Sequence, residues 1–161
     1  MTPRPGGRHP SLSFRFDGGH PVDPFASSRM LHTMLRVGDL DRSLEFYVRI
    51  LGMRLLRRRD FPQGRFTLAF VGYGPEASSS VVELTHNWDR RGYAAGDAFG
   101  HIAIEVPDVF LAAAYLRDCG IPIVRRPGPL AGDPSDVIAF VEDPDGYRIE
   151  LIQRKAREQG D

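Results

Sequence analysis

Two histidines and two glutamates stand at matched places in this chain. His32 opens the run His32-Thr-Met-Leu-Arg-Val37-Gly-Asp39, and His101 opens His101-Ile-Ala-Ile-Glu-Val106-Pro-Asp108. A glycine follows in each half, Gly52 and Gly120, and each half closes on a Glu-Leu pair, Glu83-Leu84 and Glu150-Leu151. A repeat with titratable residues at equivalent points implies a pseudo-symmetric site of two imidazoles and two carboxylates. That donor set suits a divalent first-row metal ion and leaves room around it for water or substrate. A carboxylate in such a site can also act as a base on carbon. Taken singly, a His at a strand start is more often structural, and a Glu in a strand usually faces solvent. Here Val81, Val82 and Leu84, and Ile149, Leu151 and Ile152, surround the two glutamates with apolar neighbours, where an unpaired carboxylate is costly.

Periodicity names the elements that must hold these residues. Leu31, Thr33, Leu35 and Val37 alternate with His32, Met34 and Arg36, so a strand places His32, Met34 and Arg36 on one face. Asp39 caps a helix in which Leu40, Leu44, Tyr47, Val48 and Leu51 recur at helical spacing, and Gly52 stops it. Residues 53–59, 66–72 and 80–86 read as three more strands, giving β-α-β-β-β. The second half repeats the order. A strand over 101–106 precedes a helix capped by Asp108, with Leu111, Ala114, Tyr115 and Cys119 at its spacing and Gly120 at its end. Strands over 121–125, 137–142 and 147–153 follow. Pro144-Asp145-Gly146 has the residue types of a tight turn, and the Gly/Pro-rich residues 127–134 read as a loop. His32 and His101 thus fall on first strands and Glu83 and Glu150 on last ones. All four can share a concavity if first and last strands lie on one curved sheet.

The totals narrow the class. A length of 161 residues suits one domain, and 42% hydrophobic content can fill a core. Zero formal charge gives no electrostatic case for nucleic acid or an anionic membrane. The single cysteine, Cys119, excludes an intrachain disulfide and fits a reducing cytoplasm. Residues 1–29, broken by Pro and Gly, read as a disordered extension. The domain then covers 30–155, as a module over 30–87, a linker over 88–98 and a module over 99–155, with 156–161 as a tail. His9 and His20 fall in the extension and His86 past the Glu83 strand, so none is given a ligand role. The run Arg57-Arg58-Arg59 reads as a solvated strand face. Arg36, on the His32 face, with Asn87 and Trp88 after Glu83, could hold a carboxylated, peptide-like substrate.

From residue 30 to residue 153 the chain resembles the glyoxalase I (lactoylglutathione lyase) family of the vicinal oxygen chelate superfamily. The resemblance rests on the His32–Asp39 run, Leu68-Ala-Phe-Val-Gly-Tyr-Gly-Pro75, Glu83-Leu-Thr-His-Asn-Trp88, Gly100-His-Ile-Ala103 and Ile138-Ala-Phe-Val-Glu-Asp-Pro-Asp-Gly-Tyr147. It implies an α+β fold of paired βαβββ modules and a homodimer whose metal sites lie between subunits. His32 and Glu83 would come from one chain and His101 and Glu150 from the other. The substrate it implies is the hemithioacetal of methylglyoxal and glutathione, the cosubstrate. Glu150 would be the catalytic base, Glu83 mainly a metal ligand, and Arg36 and Asn87 contacts for the glutamyl end of glutathione. Without the longer insertions of zinc-type forms, the chain resembles the Ni2+- or Co2+-activated class.

The chain departs from the family pattern over residues 128–136, where Ala131 stands in place of a lysine often found near the glycine carboxylate. Relatives of the same fold divide on the Glu83 position. An extradiol dioxygenase or fosfomycin thiol transferase would leave it without a ligand, and a methylmalonyl-CoA epimerase typically has Gln there. A bleomycin-sequestering binding protein would lack the metal set and carry no stoichiometric metal.

Overall fold

The computed structural model describes residues 25–155. The elements run β1 (His32–Arg36), α1 (Leu40–Leu44) continued by a π-helical segment (Glu45–Ile50), β2 (Arg54–Phe61), β3 (Phe66–Gly72), β4 (Val81–Asn87), β5 (Ile102–Val106), α2 (Val109–Asp118), β6 (Ile123–Leu130), β7 (Asp133–Glu142) and β8 (Arg148–Gln153). The β-α-β-β-β order therefore occurs twice, and each copy makes one four-stranded sheet, β1-β4-β3-β2 and β5-β8-β7-β6. In both, the first strand pairs in parallel with the last, and the remaining pairs are antiparallel. Among the described residues, no helix is long and apolar enough to cross a membrane.

Strand alternation decides which face is covered. Leu35, Ala69, Val71, Val82 and Leu84 of the first sheet are buried, as are Ile104, Ala139, Val141, Ile149 and Leu151 of the second, and one apolar cluster contains them all. The opposite face of each sheet carries the alternate residues, including the histidine or glutamate of every expected ligand position on a strand. Asp39 caps α1 by accepting from the Arg42 amide at 3.0 Å, and Asp108 caps α2 by accepting from Phe110 and Leu111 at 2.8 and 2.9 Å.

Three details differ from the sequence reading. The first helix widens to π geometry after Leu44, with the Leu51 amide bonded to the Phe46 carbonyl. Phe46 and Tyr47 are both fully buried there, edge to face at 5.0 Å, whereas α-helical spacing had turned only Tyr47 inward. In α2 the buried side chains are Val109, Ala113 and Leu116, while Leu111 and Tyr115 are exposed. Positions 109, 113 and 116 fit helical spacing equally well, and the sequence alone offers both stripes. Residues 127–134 are not a loop: β6 and β7 continue through them to a turn at Ala131-Gly132, where Gly132 has φ +93°. Pro127 and Pro129 fit because β6 is an edge strand with register shifts on both sides of Gly128.

Beside the shared apolar cluster, the turn Asp143-Pro-Asp-Gly146 adds polar contacts between the modules. Asp145 accepts from the Gly38 amide at 2.9 Å, the Arg42 guanidinium donates to the Pro144 carbonyl, and Tyr147 donates to the Arg36 carbonyl at 3.0 Å. Gly38 must be glycine, since a Cβ there would sit 2.1 Å from the Arg91 carbonyl oxygen. Tyr47 donates to Asp143 at 2.8 Å in a buried contact. Burial holds the Asp143 carboxyl above its ordinary value, against the hydrogen bonds it accepts from Tyr47, Tyr147 and Asp145. A carboxyl raised in the folded state contributes stability that is full below its unfolded value and is lost as pH rises through the folded one. The Tyr47 hydroxyl offsets that loss by bonding the charged form. Tyr47→Phe is expected to cost about 1–3 kcal/mol, and more at neutral than at acid pH. Urea unfolding at the two pH values checks this, and an equal or absent cost would contradict it.

Candidate metal centre

Parallel pairing of β1 with β4 sets Met34 opposite Glu83, so His32, one pleat back, leans onto the carboxylate. His32 Nε2 lies 3.0 Å from Glu83 Oε2. The second module repeats the geometry: Ala103 is opposite Glu150, and His101 Nε2 lies 3.0 Å from Glu150 Oε2. The carboxylates are mostly covered, 13% and 12% exposed, while the imidazoles remain 37% and 43% exposed. Each pair therefore turns two donors toward an open sheet face. Among the described residues, no three His, Cys, Asp or Glu side chains form a group that could hold a metal ion. The described residues thus bring His32 together with Glu83 and His101 together with Glu150, as two separate pairs.

Two phenylalanines complete the pseudo-symmetry, and the sequence reading overlooked them. Phe70 pairs with Glu83 across β3–β4, and Phe140 with Glu150 across β7–β8. Each meets its imidazole edge to face, at 5.5 Å for His32 and 5.3 Å for His101. Such contacts fix the ring planes and keep Nε2 directed at the carboxylate. The signal was available as a second repeat, Ala69-Phe70-Val71 and Ala139-Phe140-Val141.

The two glutamates are held differently. Thr85 donates to Glu83 Oε1 at 3.0 Å, so both oxygens of Glu83 have partners. The corresponding residue after Glu150 is Ile152, which has no hydroxyl. Glu83 is anchored on both oxygens, whereas among the described residues Glu150 is held at His101 alone. The first-module face also carries Arg36 and Asn87, each four residues beyond its ligand position and on the same face. The Asn87 amide donates to the Tyr93 hydroxyl at 2.7 Å. Trp88 is not with them: its Nε1 donates to Thr67 on the opposite face. His86 lies within β4 rather than past it, also on that opposite face, with Nδ1 3.2 Å from the Val37 carbonyl. His9 and His20 lie outside the described residues. Ala131 is at the β6–β7 turn, and Lys155, the chain's one lysine, pairs with Asp136 of that hairpin at 2.6 Å.

A family model described as Glyoxalase/Bleomycin resistance protein/Dioxygenase superfamily matches residues 29–151. The lactoylglutathione lyase of Neisseria meningitidis serogroup A is 59% identical over 128 residues, covering 80% of this chain and 92% of its own. That of Salmonella typhimurium is 52% identical over 132 residues, covering 82% and 97%. Among solved structures, glyoxalase I from Zea mays superposes with a TM-score of 0.76 at 49% identity over 80% of this chain, which spans 45% of the maize chain. The trypanothione-dependent glyoxalase I of Leishmania major gives 0.70 at 52% identity, covering 79% of this chain and 87% of that one. The chain belongs to the glyoxalase superfamily and, within it, to the lactoylglutathione lyase (glyoxalase I) family.

Replacing Thr85 with Val keeps its shape and removes the anchor on Glu83. Losing a hydrogen bond to a metal-binding carboxylate typically costs 10–100-fold in affinity, so T85V tests whether Glu83 holds an ion: an added divalent ion such as Ni2+ is expected to bind more weakly by about that factor. Competition against a chromophoric chelator reads it, and unchanged affinity would mean that the hydroxyl does not position the carboxylate.

Proposed function

We propose that this protein is a metal-dependent lactoylglutathione lyase. It isomerises the hemithioacetal of methylglyoxal and glutathione to S-lactoylglutathione and so detoxifies methylglyoxal. The observation that carries this reading is the His–Glu pair at 3.0 Å in each module, on a chain 59% identical to a lactoylglutathione lyase.

The four proposed ligands are His32, Glu83, His101 and Glu150, with Ni2+ or Co2+ rather than Zn2+ as the metal. They fit such an ion by donor chemistry, with two imidazole nitrogens and two largely covered carboxylates, each in contact with its imidazole. Because one chain offers them as two pairs, the working unit is a homodimer. A site takes His32 and Glu83 from one subunit and the other two ligands from its partner. Met34 and Phe99, exposed apolar side chains near these positions in sequence, support a surface that is covered on association. Cys119 is free and exposed, which supports a reducing, cytoplasmic setting.

A divalent ion held by these four residues would supply Lewis-acid stabilisation of the negative charge that develops on the substrate. Glu150 is the base: among the described residues no hydroxyl donates to its carboxylate as Thr85 does to Glu83. It removes the proton from C1 of the hemithioacetal and returns it to C2, leaving the thioester. Glu83, anchored on both oxygens, keeps its place. Arg36 and Asn87 hold the glutamyl end of glutathione through its charged carboxylate and amine. Phe70 and Phe140 orient the imidazoles and exclude water from beside them.

Glu150→Gln keeps an oxygen donor and removes the base. It is expected to retain most of its metal while kcat falls by about 10²–10⁴-fold, whereas Glu83→Gln loses metal more readily. Metal stoichiometry beside the ultraviolet rate of thioester formation reads both. No thioester formation by the metal-loaded native protein would contradict the activity, and a fully metallated Glu150→Gln with native kcat would move the base to Glu83.

A further inference from the structure

The run Arg57-Arg58-Arg59 is not a uniform solvated face. Strand alternation sends Arg58 to the far side, where it lies 3.7 Å from Asp41. Arg57 and Arg59 share the face that carries His32 and Glu83, because Arg57 pairs with Phe70 and Arg59 with Leu68. Arg57 is fully engaged. Its guanidinium lies 3.3 Å above the Phe70 ring and donates to both oxygens of Glu76, at 2.8 and 3.1 Å. Arg59 is different. It is exposed, its guanidinium lies 5.0 Å over the Phe61 ring, and among the described residues it has no hydrogen bond or ion pair. Phe61 in turn stacks on Phe66 at 4.7 Å. The result is an unpaired cation on an aromatic and aliphatic floor formed by Phe61, Phe66 and Leu68.

We infer that Arg59 is a specificity residue that receives a carboxylate carried on the aldehyde-derived part of the substrate. This rests on the activity proposed above and extends it to a substrate class: hemithioacetals of 2-oxoaldehydes that end in an acid. The register sets the direction. Arg36 and Asn87 occupy the β1–β4 side of the face and take the peptide. A substrate clasped at Glu83 has its other branch free to run across β3 toward β2. The β4-to-β2 distance is two strand spacings, about 10 Å, which a short carboxyalkyl chain and the arginine side chain span together. An arginine without a carboxylate, beside apolar surface, binds an incoming carboxylate without first breaking an ion pair. Arg57, held by Glu76, cannot do this without losing that pair.

The test uses binding, so turnover does not enter. Calorimetry compares glutathione S-alkylated with a short carboxyalkyl chain against the uncharged alkyl counterpart of equal length, on native protein, Arg59→Gln and Arg59→Lys. Native protein is expected to bind the carboxyalkyl form about three- to tenfold more tightly, the range of one partly exposed charge-assisted contact. Arg59→Gln is expected to abolish the preference and Arg59→Lys to keep most of it. Equal binding of both adducts by native protein would overturn the inference and leave the activity standing. A preference that survives Arg59→Gln would overturn it too. If Arg59→Gln weakens both adducts alike, and esterifying the glycyl carboxylate abolishes that loss, Arg59 reads the peptide and the inference fails. Binding of neither adduct by native protein would instead count against the glutathione-adduct reading itself.

Discussion

The parallel pairing of first and last strands carries the rest of this structure. β1 and β4 are distant in sequence, as are β5 and β8, yet each pair lies side by side with its register fixed. A parallel pair needs a long crossover, and here a helix and two strands supply it. That closure is what sets a histidine 3.0 Å from a glutamate in each module. A slip of one residue would turn the glutamate toward the helix side and expose Leu84 or Leu151, both almost wholly buried. Packing of the core face therefore fixes the chemistry on the other face.

The two modules share a plan and differ in what surrounds the glutamates. Thr85 ties down Glu83, and Ile152 leaves Glu150 without such a tie. Arg57 sits over Phe70 and is anchored by Glu76, whereas Arg125, paired opposite Phe140, spends its guanidinium on the Pro129 carbonyl. These differences distinguish pairs that look equivalent in sequence. One glutamate is braced on both oxygens, and among the described residues the other has a partner on one oxygen only. The modules share one apolar cluster, and its polar edge is centred on the Asp143-Pro-Asp-Gly146 turn.

Much of this is legible in the sequence, for physical reasons. Period-two alternation located the strands, and the aspartate caps located both helix starts, because each signal is local. The His and Glu positions were readable because the repeat marks them twice. Other features depend on tertiary context. The π-helical segment follows from packing Phe46 beside Tyr47, which helical spacing alone does not reveal. Residues 127–134 form strands despite their prolines because β6 lies at an edge. The three arginines at 57–59 look alike in sequence, and the pleat with two acidic neighbours separates them into a stacked, a back-face and an unpaired residue. Asp145 looked like a turn former, and its docking onto Gly38 is a long-range contact with no sequence signature. Residues 1–24 and 156–161, including most of the expected disordered extension, lie outside the described residues.

The proposal of a site completed by a second subunit rests on the two separate His–Glu pairs, one in each module. Complementation tests it most directly. A His32→Ala chain and a Glu150→Ala chain, each inactive alone, are mixed under conditions of demonstrated subunit exchange. With sites shared between subunits, the heterodimer holds one doubly damaged site and one intact site, and lactoylglutathione formation returns to about half the native rate per heterodimer, as the arithmetic of one intact site in two requires. If each site were built within one chain, every site in the mixture would carry a lesion. Verified exchange with no recovered activity would contradict the shared site.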